Sequence, residues 1–234
     1  MTDIIPGYIG QSVPRREDKR LVLGEGCFVA DIKLEGMVHV AIARSQLAHA
    51  IINSVDLTEA TAADGVVLAL CGADLKDVLP PISGMQVAAP KGWSDRMDPD
   101  IQIADQTLLP PDKMRYVGEP YALVVADDRY LAEDAAELIE ADMEALPPVT
   151  NAETGLEEGA ALVHEHLGRN VAATLHTTKG DGKAALEAAP HRLKRRFYHH
   201  RYAAMPMECR GVVADYDRRT DTMTIWSSTQ VVHW

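Results

Sequence analysis

No stretch of this 234-residue chain approaches the ~20 consecutive apolar residues needed to cross a bilayer, so a membrane-spanning helix is excluded. Met1 to Gly7 also lacks the basic region and following apolar run of a secretory signal, which makes cytoplasmic the expectation. Cysteine is scarce. Cys27, Cys71 and Cys209 are single, widely spaced and odd in number, and they fit neither a disulfide framework nor a paired-cysteine metal or iron–sulfur site. Clustered cations are lacking too: the net charge is −12, and scattered lysines and arginines do not make a phosphate-binding surface, which argues against nucleic acid. The one basic run, His191 to Arg196, is either a local anion patch or, as read here, the solvated face of a strand. Gly24, Gly26 and Gly180-Asp181-Gly182 lack the strand–turn–helix spacing of a dinucleotide or phosphate loop. Internal repeats and low-complexity tracts are absent.

What is present suits a globular protein, with 47% hydrophobic and 25% charged residues and a length that can bury a real core. Gly10 to Gly26 is polar and non-periodic and reads as an extended docking arm rather than a helix. From Met37 to Arg44, Val38, Val40 and Ile42 alternate with His39, Ala41 and Ala43, the period of a half-buried strand. Val66 to Cys71 reads as a buried strand and Tyr121 to Ala126 as an apolar one. Asp128 is placed to cap a helix from Arg129 to about Leu138. Ile139 to Ala145 alternates apolar and acidic residues, so its carboxylates form a wet strand face and not a metal site. The proline-rich stretch 79–111 is a long loop of the functional or docking kind. Pro147-Pro148 ends the first unit, and 149–178 is polar enough for an interdomain crossing. Beyond it come a helix from Lys183 to Ala189, stopped by Pro190, and three strands: His191 to Tyr202, Arg210 to Tyr216 and Thr222 to Thr229. Asp217 to Asp221 makes the turn between the last two.

Three segments carry a resemblance: Gly118-Glu119-Pro120-Tyr121-Ala122-Leu123-Val124-Val125-Ala126, Pro206-Met207-Glu208-Cys209-Arg210-Gly211, and Ser227-Ser228-Thr229-Gln230. Arg15-Arg16-Glu17-Asp18, followed by Gly24-Glu25-Gly26 and Asp31, adds an entry motif. Together they resemble the molybdopterin-binding large subunit of the xanthine dehydrogenase and aldehyde oxidase family, in the branch that includes aerobic carbon monoxide dehydrogenase. The resemblance implies an α+β fold: an extended arm at 1–19, an α/β hammerhead domain at 20–148, the crossing at 149–178, and the first, incomplete part of a molybdopterin-binding domain at 179–234. It implies a molybdenum hydroxylase that oxidises an aldehyde, an N-heterocycle or a similar small substrate with water as oxygen source. It further implies molybdenum–molybdopterin shared with a missing region, FAD on a medium subunit, a 2Fe-2S cluster on a small subunit, and an export signal, where there is one, on a partner.

Gln230 is the candidate cofactor-binding residue. A glutamine amide offers N–H donors without charge, so it can hydrogen-bond a metal's oxygen without ligating the metal. Spacing alone gives a plainer reading, a strand-end cap, and the surrounding motif turns the choice. In the resembled family this glutamine sits beside the apical oxo group of molybdenum. Glu208 reads as half of an ion pair with Arg210 that fixes a loop. Cys209 stands where the family most often has proline, which weakens any substrate assignment. His164 and His166 read as a surface pair, and His199-His200 point to opposite strand faces, so neither pair predicts a metal site. The family's glycine-rich loop, most pterin contacts, base glutamate and carbon monoxide-type cysteine loop would follow Trp234. No catalytic residue is therefore assigned, and the chain is expected to be inactive alone, as a split subunit, a truncated product or a partial chain. The rival reading is a non-catalytic interaction or scaffold module, or a decayed fragment.

Overall fold

The first alternating segment forms β1 (His39–Arg44), one edge of a three-stranded antiparallel sheet. In this computed structural model, which describes residues 9–83, 104–172, 174 and 179–230, the centre of that sheet is β7 (Pro120–Ala126) and its other edge is β3 (Val66–Cys71). Proline at the first position of β7 removes no ladder donor from the strand interior. β1 is half-buried, as its alternation required, and its inward face is the alanine one: Ala41 and Ala43 are buried, while Val40 and Ile42 are 58% and 44% exposed. The cause is the helix that covers the sheet. Ala132 and Ala135 of α4 (Arg129–Glu137) join Ala41, Ala43, Ala122, Val124 and Ala126 in the core, and small side chains on both surfaces let helix and sheet approach closely. The register stacks the branched side chains on the other face, in the rows Val40–Val125–Leu68 and Ile42–Leu123–Leu70. β3 is thus an edge strand with an exposed Leu68, not the fully buried strand its apolar run suggested.

A second antiparallel sheet is centred on β2 (Ala50–Asp56), between β6 (Lys113–Met114) and β8 (Glu140–Ala145). Glu140, Asp142 and Glu144 of β8 are exposed, as the alternation required. α2 (Thr58–Ala62) and α3 (Gly72–Leu75) flank β3, and Asp128 caps α4 by accepting a hydrogen bond from the Tyr130 N–H. Both ends of the proline-rich stretch are anchored. β4 (Ile82–Ser83) pairs with β5 (Asp105–Gln106), and Leu109 and Pro110 pack so tightly on Gly72 that a Cβ there would lie 2.4 Å from the Pro110 carbonyl oxygen. Residues 84–103 of that stretch lie outside the described residues.

Two compact units divide the chain, Gly36–Arg196 and a second made of Met1–Glu35 with Phe197–Trp234. The described part of 149–178 belongs to the first of these and is internally tied. The Asn170 amide donates to the carbonyls of Gly155 and Ala161 and accepts from the Val163 N–H, and this fastens the 3-10 turn Thr154–Leu156 to residues 161–163. Residues 173 and 175–178 of the crossing lie outside the described residues. α5 (Gly182–Ala188) is capped by Asp181 and ends before Pro190, as expected. The strand expected over 191–202 is not formed. A strand exists only as half of a ladder, and among the described residues no strand ladder forms with this segment.

In the other unit the N-terminal arm is not wholly extended. Asp18–Val22 makes a short helix, α1, with Arg15 paired to Asp18 at 2.8 Å. A helical turn needs only local hydrogen bonds, so its polar sequence did not prevent it. β9 (Val212–Asp217) and β10 (Thr222–Ser227) form a hairpin across the expected polar turn, where Asp221 takes a positive φ of 53° and accepts from the Tyr216 hydroxyl at 2.6 Å. Among the described residues no helix is long and apolar enough to cross a membrane.

Candidate functional site

The end of the β9–β10 hairpin is built around Ser228. Ser227 pairs with Val212, so the next residues outward, Ser228 and Gly211, stand opposite one another. Ser228 Oγ accepts from the Gly211 N–H at 2.8 Å and donates to the Cys209 carbonyl at 2.9 Å, while its own N–H donates to the Gly211 carbonyl at 3.1 Å. One hydroxyl, a donor and an acceptor at once, thus ties the loop 206–211 to the end of β10. Nothing in the local sequence around Ser228 marks it as this bridge.

On the loop's other side Glu208 Oε1 accepts from the Val29 N–H at 3.2 Å, across 179 positions of sequence. The ion pair expected between Glu208 and Arg210 is not formed. A backbone donor already fixed in a turn loses less conformational entropy on bonding than a long arginine does, which favours the observed partner. Val29 belongs to the 3-10 turn Val29–Asp31, closed by Asp31 Oδ2 accepting from the Phe28 N–H at 2.9 Å. Side-chain packing repeats the contact, since a Cβ on Gly211 would stand 3.2 Å from Val29 Cγ1. No local periodicity pairs position 29 with position 208.

Gln230 follows two residues after Ser228 and is exposed. His233 and Trp234 lie outside the described residues. The polar side chains from Ser227 to Gln230 are neutral hydroxyls and one amide, and among the described residues no group of three or more His, Cys, Asp or Glu converges as a metal-binding set. That donor set fits hydrogen bonding to a bound group's oxygen rather than ligation.

A second polar cluster lies in the unit Gly36–Arg196. Lys113, 6% exposed, pairs with Glu165, whose carboxyl is held below the usual range by that lysine. Beside them His164 is pushed down first by burial and then by the charge of Arg115, and it meets His166 edge to face at 5.8 Å. His164 is therefore partly buried, not a surface residue as its sequence context suggested. Glu119 is buried and accepts from the Arg115 N–H, and burial raises its carboxyl against the pull of that hydrogen bond. These contacts bind the 163–170 segment to β6. Val55, Leu57, Thr58, Thr61 and Cys71 line a shallow depression, where burial raises the Cys71 thiol and makes it a poor nucleophile.

The class is given by two family matches: a hammerhead domain followed by part of a molybdopterin cofactor-binding domain. Residues 23–147 match the family described as "Aldehyde oxidase and xanthine dehydrogenase, a/b hammerhead domain", and 163–234 match "Molybdopterin cofactor-binding domain". The chain belongs to the aldehyde oxidase and xanthine dehydrogenase family, with the α+β architecture its motifs implied. It is 34% identical over 231 residues to the nicotine 6-hydroxylase large subunit of Paenarthrobacter nicotinovorans, covering 99% of this chain and 27% of that protein. It is 32% identical over 236 residues to the carbon monoxide dehydrogenase large chain of Afipia carboxidovorans, covering 94% of this chain and 27% of that one. Among solved structures, quinoline 2-oxidoreductase from Pseudomonas putida 86 superposes with a TM-score of 0.82 at 40% identity, over 96% of this chain and 27% of that chain. The chain thus spans about a quarter of the length of the relatives it matches.

Proposed function

We propose that this chain is a part of the large subunit of a molybdenum hydroxylase that oxidises a small substrate with water as the oxygen source. The supporting observation is the match of nearly the whole chain, at 34% and 40% identity, to one quarter of two enzymes named for nicotine and quinoline. Those names favour an N-heteroaromatic ring over an aldehyde as the substrate class. The molybdenum–molybdopterin cofactor, when bound, supplies the redox chemistry. This chain's own contribution is positional. Gln230 offers an amide N–H toward an oxygen of the bound centre, and lacking charge it does not compete as a ligand. Ser228 fixes the strand end on which Gln230 stands. FAD and 2Fe-2S centres belong to medium and small partner subunits, the remaining cofactor shell and the base belong to the rest of the large subunit, and the chain alone is inactive.

The test is to co-produce the chain with the polypeptides that complete such a subunit and to measure molybdenum and pterin in the purified complex. Both are expected in near-equal amounts with the chain, and a stable complex devoid of both overturns the reading. In that complex Gln230→Ala should lower kcat about 10²- to 10³-fold, the scale for losing one preorganised donor, with the melting temperature unchanged. Unaltered kinetics would retire Gln230.

A further inference from the structure

We propose that Glu208 is a positioning residue: it clamps the N-terminal turn 28–31 onto the loop 208–211 and so holds in place the strand end that bears Gln230. The proposal rests on the reading of Gln230 as a donor toward the cofactor, but the clamp itself can be measured without cofactor.

Among the described residues the loop preceding the hairpin has little else to fix it. Met205 and Met207 are 87% and 101% exposed, and 203–210 carry no strand ladder. Its position depends on contacts from two sides. From one side Ser228 bonds Gly211 and Cys209. From the other the Val29 N–H donates to Glu208 Oε1, and Val29 Cγ1 fills the space in front of Gly211. Gly211 is the shared element: a Cβ there would lie 3.2 Å from Val29 and 4.0 Å from Ser228 Oγ. A displacement of the turn is therefore passed through Gly211 to Ser228, two residues from Gln230. A hydrogen-bond donor is useful to a reacting centre only when held to within about 0.5 Å, and an exposed amide at the end of a two-stranded hairpin has no such precision unaided. The carboxylate suits this work because it accepts from a backbone N–H and makes a stronger bond than a neutral acceptor.

Hydrogen exchange of the 234-residue chain reads the clamp directly. Glu208→Ala should speed exchange about five- to tenfold over 28–31, as for loss of one such bond, and also over 209–211 and 227–230. Glu208→Gln, which keeps an oxygen acceptor, should restore most of the protection. Gly211→Ala, which forces Val29 aside without touching the carboxylate, should loosen the same three segments. In the assembled enzyme Glu208→Ala should lower kcat about tenfold with KM unchanged, the scale of a lost supporting contact, and Glu208→Gln should recover it. Faster exchange over 28–31 with 227–230 unchanged would overturn the proposal. If 227–230 loosen while neither Glu208→Ala nor Gln230→Ala alters kcat, the reading of Gln230 falls and the clamp stands.

Discussion

A buried carboxylate with only backbone donors is the most informative single group in the first unit. Glu119 sits one residue before β7, and burial raises its carboxyl above the ordinary glutamate value. The folded chain then holds this proton more tightly than the unfolded one, so across that window stability falls as pH rises. His164 acts in the opposite sense. Burial and Arg115 lower it, so its contribution is present above about pH 6.5 and is lost as pH falls through the folded value. The two slopes oppose each other in mildly acidic solution. Glu119→Gln keeps an oxygen for the Arg115 N–H and removes the proton, so acid should destabilise this variant more steeply than wild type as pH falls from neutral toward the ordinary glutamate value, about 4.3. Urea midpoints at the two ends of that range check it, and equal slopes would show that Glu119 does not titrate there. Sequence alone placed Glu119 just before the strand read at Tyr121 to Ala126 and carried no sign of its burial.

Elements were legible where their signals are local. Asp128 and the apolar spacing after it mark α4, Pro190 ends α5, and Asp217 to Asp221 make the turn between β9 and β10. Two features were not legible for one reason. The inward face of β1 and the absence of a strand over 191–202 are both decided by a partner that alternation does not reveal. The alanine-lined contact between α4 and the sheet has little room for larger side chains. Ala132→Leu should cost about 1–3 kcal/mol from overpacking, seen as a lower urea midpoint with an unchanged m-value. Gly72→Ala should cost a similar ~1–3 kcal/mol, because the obstructing atoms are the Leu109 and Pro110 backbone and not a movable side chain.

Across the whole molecule, acid sensitivity should centre on the tie between β6 and the 163–170 segment. Lys113 holds the Glu165 carboxyl low, so that stabilisation is present above the ordinary glutamate value and fades as pH falls through the lowered one. Limited proteolysis should therefore cut the 149–172 segment faster at pH 4 than at pH 7, about where an ordinary glutamate titrates. Lys113→Met should make cutting at pH 7 resemble that at pH 4, and equal rates in both variants would remove the tie from the account. Family membership and most element positions could be read from the chain, since motif order, capping and alternation are properties of neighbouring residues. The bond from Val29 to Glu208, the Ser228 bridge and the burial of Lys113 and Glu119 could not, because each depends on segments brought together only when the backbone closes on itself.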